Sequence, residues 1–77
     1  MPEKKFSLTS DCTNETVDVY EVSTEDAIRL DSNKVKEEYG VKAVCYRLSE
    51  DNSIKTIASS DVTQKYEDKI KEELDLP

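Results

Sequence analysis

The chain has 77 residues, 35% of them apolar and 38% charged, with a net charge of −7 and no histidine. A chain this short buries only about 60% of the surface its unfolded form exposes, which leaves room for one domain around one thin core. The single glycine excludes the glycine-rich phosphate loops, and the acid excess disfavours direct binding to nucleic acid, which relies on basic residues to neutralise phosphates.

Residues 1–5 carry no apolar period and are expected to form a mobile tail ahead of a single domain over residues 6–77. Lys4 and Lys5 are not followed by the apolar run of a secretory signal, and the longest apolar run, Ala43 to Tyr46, is far shorter than a membrane span. Cytoplasmic residence with no membrane partner is therefore expected. Phe6 and Leu8 alternate with polar neighbours as in a short strand, SDCTNE reads as a turn, and TVDVYEV is a strand rich in β-branched and aromatic residues.

Residues 24–39 admit two readings. Ile28, Val35 and Tyr39 fall near one helical face, with a break at Asp31, Ser32 and Asn33, whose side chains compete for backbone hydrogen bonds. On that reading Ser32 caps a short helix and Gly40 closes it, because glycine carries no Cβ penalty at positive φ. The rival reading is a hairpin arm, AIRLD, pairing back onto VDVYEV.

Val41 to Leu48 is the strongest strand, with Val44, Tyr46 and Leu48 on one face and Val41, Ala43 and Cys45 on the other, as suits a central position. Ser49 to Ser53 is a polar turn and Ile54 to Ala58 resumes the apolar pattern, so residues 41–58 read as a hairpin. Asp61 and Gln64 have the spacing of a capping box and predict a helix from there, on which Val62, Tyr66, Ile70 and Leu74 form one apolar stripe. Asp61 with Lys65, Glu67 with Lys71 and Lys69 with Glu73 are spaced to pair along it. The expected architecture is α+β: a small antiparallel sheet of three to four strands with a C-terminal amphipathic helix packed on one face.

The residues offer little chemistry. Serine or cysteine nucleophiles need a nearby base, and histidine, the usual one, is absent. Cys45 sits in a strand and reads as a reduced core thiol; nothing electropositive surrounds Cys12. Two thiolates fall short of a four-ligand zinc site, and no window matches the twelve-residue calcium loop. The carboxylate pairs Glu37/Glu38, Glu50/Asp51 and Glu67/Asp68 are neighbours in sequence and point in different directions, so they read as solvated charge. The sequon Asn14-Glu15-Thr16 is set aside because such a triplet is common by chance. A non-enzymatic domain without cofactor or metal is expected.

Charge supplies the remaining clue. Residues 1–40 hold 5 basic and 10 acidic residues, a balance of −5, against 6 and 8 in residues 41–77, a balance of −2. Asp18, Glu21, Glu25, Asp26 and Asp31 form the candidate partner-binding surface, matched to a protein partner with a basic face. The expected function is a small acidic protein-interaction module. The alternative is a nucleic-acid mimic that occupies the basic groove of a nuclease or defence enzyme, as small phage-encoded inhibitors do. Tyr20, Tyr39, Tyr46 and Tyr66 at the margin of a thin core also suit completion of that core in a homodimer.

The order VYEV, EYGVKAVCYRL and TIASSDVTQKYEDKIKEEL, with Tyr39, Gly40, Val41, Ile57, Asp61, Tyr66, Ile70 and Leu74 at the matching positions, resembles a family of small clostridial proteins of uncharacterised function. The resemblance covers residues 17–76 and implies an α+β fold; it implies no activity or site. The family pattern continues into further helical sequence, where this chain stops at Pro77.

Overall fold

The computed structural model describes residues 4–51 and 53–75. Four strands and three short helices follow in the order β1 (Lys4–Thr9), β2 (Thr16–Glu21), α1 (Thr24–Arg29), α2 (Ser32–Glu38), β3 (Ala43–Leu48), β4 (Ile54–Ala58) and α3 (Glu67–Glu73). The strands form one sheet in the order β1-β2-β3-β4. Both outer pairs are antiparallel, and the central pair, β2 with β3, is parallel. Of the expected tail, residues 1–3 lie outside the described residues, while Lys4 and Lys5 already belong to β1.

A parallel pair needs a crossover of about a dozen residues or more, and α1 and α2 supply it. Residues 24–29 are thus helical, and the hairpin-arm reading of AIRLD does not hold. Ser23 caps α1 by accepting a hydrogen bond from the Asp26 amide at 3.1 Å. Asp31, one residue before the expected Ser32, caps α2 through the Lys34 amide at 2.9 Å. Helices of six and seven residues are too short to persist alone. They brace each other instead: the Arg29 guanidinium grips Glu38 of α2 through two bonds of 2.8 and 3.1 Å and Asp26 of α1 at 3.1 Å.

Gly40 ends this unit with a φ of +136°, a region that side chains rarely enter, although a Cβ there would meet nothing within 4 Å. Gly40→Ala is accordingly expected to destabilise the chain by about 1–3 kcal/mol through backbone strain alone. Chemical denaturation would check this, and a neutral or stabilising result would show that the turn relaxes to negative φ.

The two faces of the sheet bury separate cores. Val17, Val19, Val44, Tyr46 and Ile54 pack with Tyr66 and Ile70 beneath α3. Ala43 and Cys45 pack with Val22, Leu30 and Val35 beneath α1 and α2. Apolar groups on both faces of β3 reflect this three-layer arrangement.

The capping box at Asp61 does not form, and α3 begins six residues later, at Glu67, without a side-chain cap. The chain turns instead at the buried Ser59, whose carbonyl accepts from Val62 N and whose hydroxyl accepts from Asp61 N. The Asp61 carboxylate goes to Lys36 at 3.0 Å rather than to its own helix. Lys69 likewise reaches back to the Thr9 carbonyl at 3.4 Å and to Asp11 at 3.7 Å. Tertiary partners have taken the groups that local spacing would have paired.

Candidate functional site

β4 is the last strand of the sheet, so one side of its backbone pairs with no other strand among the described residues. Ser59 N donates to the Ala43 carbonyl and Ser49 N to the Ser53 carbonyl, which sets the phase of the β3–β4 ladder. Residues 55 and 57 therefore turn their N–H and C=O groups toward β3, and Ile54, Thr56 and Ala58 turn theirs outward.

A cavity of about 610 Å³ follows this edge. Ala27 and Leu30 line it over one face of the sheet, together with Lys55 and Ile57. Val44, Ala58, Gln64, Lys65, Tyr66 and Glu67 line it over the other. The sheet separates these two walls, so a single cavity touching both passes around the free edge of β4. The outward backbone groups of Thr56 and Ala58 lie along it, with Ala27 and Leu30 on one side and Tyr66 on the other.

The second wall is held in place by Glu15, which the sequence presents only as the middle residue of the triplet Asn14-Glu15-Thr16. Its side chain is 8% exposed and accepts from Lys42 Nζ at 3.1 Å, from Thr63 Oγ1 at 3.0 Å and from Thr63 N at 3.5 Å. Tyr66 Oη lies 3.2 Å from both the Glu15 carbonyl and Oε1 and donates to this pair. The Lys42 hydrogen bond holds the Glu15 carboxyl below its ordinary range, against the opposing effect of burial and with help from Thr63. Burial first, and then the Glu15 charge, push the Tyr66 hydroxyl upward. One carboxylate thus ties the start of β2 to the segment between β4 and α3.

The five acidic residues expected to form a partner surface are carried by β2, the first turn of α1 and the cap of α2. Asp18 sits within β2 and accepts from Ser7 Oγ at 3.1 Å. Glu21, at the end of β2, pairs with Lys5 at 3.2 Å. Glu25 and Asp26 occupy the first turn of α1, where Asp26 meets Arg29, and Asp31 caps α2. Asp11 and Glu15 find Lys69 and Lys42, cations that lie far along the chain. Much of the acidity that is unbalanced in sequence is therefore balanced in space.

Cys45 is fully buried, and burial, with Glu38 nearby, pushes its thiol up to about 12, so it stays protonated at neutral pH. Cys12 is exposed. Among the described residues no group of three or more histidine, cysteine, aspartate or glutamate side chains is placed to hold a metal ion. No described helix is long and apolar enough to cross a membrane.

The chain matches no family model, no curated protein and no solved structure. The groove residues left a partial signal in the sequence, since Ile54 to Ala58 reads as the outer arm of a terminal hairpin. Nothing there indicates that Ala27, Leu30 and Tyr66 would close around it.

Proposed function

We propose that this domain is a non-enzymatic protein-interaction module that accepts an extended segment of its partner as a fifth strand beside β4. The observation that supports this reading is the cavity that rounds the β4 edge, lined by Thr56 and Ala58, whose backbone groups face outward. Strand addition uses such an edge directly: main-chain hydrogen bonds supply affinity, and pockets for alternate side chains supply selectivity. The acidic stretch supports its own readings, a docking face for a basic partner or a nucleic-acid mimic, less well, because Asp18, Glu21, Asp26 and Asp31 are each engaged by a neighbouring group.

The test uses Thr56→Pro. The Thr56 amide faces outward, so proline there leaves the β3 ladder intact, and proline is tolerated on edge strands in that orientation. Circular dichroism would establish that the variant folds. Proteins retained on the wild-type chain from extracts of its native cells should fall about tenfold or more on the variant, through the lost edge hydrogen bond and the ring's steric block. Equal retention on both would overturn the strand-addition reading. Loss confined instead to the combined Asp18→Asn, Glu21→Gln, Glu25→Gln and Asp26→Asn variant would move the function to the acidic surface.

A further inference from the structure

The charges around the groove specify what kind of strand it takes, an inference that rests on the strand-addition reading above. On the face covered by α1 and α2, β4 presents Ile57 and, two residues away, Lys55. Lys55 lies directly across from Arg47 of β3. Like charges opposite each other on neighbouring strands repel, and neither finds an ion-pair partner among the described residues. Lys65, on the opposite wall, has none either, and Glu67 is the one acid in the lining. A chain with a net charge of −7 thus collects uncompensated positive charge at this edge.

Lysine on an edge strand discourages pairing with other sheets. Beside open backbone groups and apolar walls the same charge also selects, repelling a cationic strand and attracting an anionic one. We infer that the groove takes an extended acidic segment of a partner protein, in which a β-branched or small apolar residue and a carboxylate stand two positions apart. The apolar residue packs beside Ile57, Ala27 and Leu30, and the carboxylate bridges Lys55 and Arg47. The spacing follows from the side-chain period of two, which puts residues 55 and 57 on one face. A second copy of the chain fits less well, since antiparallel pairing about Thr56 would bring both Lys55–Arg47 pairs onto one face with no carboxylate between them.

The palindromic peptide acetyl-Thr-Glu-Thr-Val-Thr-Glu-Thr-amide presents the required pattern in either strand direction. Titrated into the ¹⁵N-labelled full chain at low salt, it should shift the amides of Lys55, Thr56, Ile57 and Ala58. It should bind roughly tenfold more tightly than the analogue with lysine in place of glutamate, as two surface ion pairs allow. Combining Lys55→Glu with Lys65→Glu should reverse that order, a readout that a folding defect would not produce. Equal binding of the glutamate, glutamine and lysine peptides at β4 would overturn the charge inference and leave strand addition standing. If no peptide perturbed Thr56 and Ala58, or if the chain alone dimerised through β4 in a sedimentation series, both would fall.

Discussion

Truncating Ile70 to alanine is expected to cost about 2–5 kcal/mol, the range for removing most of a buried isoleucine together with the cavity it leaves. Total stability for a chain of 77 residues is on the order of 4–12 kcal/mol, so this one change threatens the fold. The reason is specific to α3. A seven-residue helix cannot hold itself together, and Ile70 is the one residue within α3 that is buried. It inserts into the core formed by Val17, Val19, Val44 and Tyr46, with Tyr66 ahead of it and Leu74 partly buried behind. Losing its anchor would also release the 64–67 wall of the groove. Urea denaturation should show the midpoint falling, whereas Ile28→Ala, at a side chain 80% exposed on α1, should change stability by no more than about 0.5 kcal/mol. A loss of less than about 1 kcal/mol for Ile70→Ala would mean that this core is not organised around α3.

Replacing Glu15 by glutamine should lower the melting temperature by several degrees and flatten the acid side of the stability profile. Glutamine preserves the shape but removes the charge that Lys42 engages, and its amide NH₂ cannot accept the bonds that both carboxylate oxygens now receive. The sign follows from linkage. The folded state holds Glu15 below its ordinary value of 4.5, so its contribution is complete above that value and is lost as pH falls through the folded-state pKa. Glu38, lowered chiefly by its hydrogen bonds from Arg29, follows the same course and will remain in the variant. Thermal melts between about pH 5 and pH 3 should therefore lose part of their slope in the glutamine variant. An unchanged profile would show that the Glu15 contacts do not contribute to stability.

These two residues illustrate unequal legibility. Ile70 belongs to a four-residue apolar recurrence, and its place in the core follows from that pattern. Glu15 sits in a polar turn with no apolar period, between Asn14 in a left-handed conformation and the start of β2. Its partners at 42, 63 and 66 lie far along the chain, and no local spacing could have named them. The same difference separates the two candidate sites. The acidic stretch is conspicuous as composition, while the groove has no compositional signature and exists only where α1 and the 64–67 segment meet around β4.

Local pattern marks most of the inward residues but misplaces Ile28 and Val41, grouped in the sequence with core positions and 80% and 52% exposed in the fold, because neither meets a covering element. Alternation in β2 and β3, the inward positions of Ile70 and Leu74, the core position of Cys45 and the break between α1 and α2 at Asp31 follow from local periodicity and side-chain competition for backbone groups. The tertiary structure alone decided that β2 and β3 run parallel, that α3 starts at Glu67 rather than near Asp61, and that the free edge of β4 lies in a cavity. Burial is encoded residue by residue, because each apolar side chain gains by leaving water whatever its partner. Strand order, ion pairing and cavities depend on which distant segments meet, and a charged side chain satisfied by one partner or another leaves the same mark on the sequence.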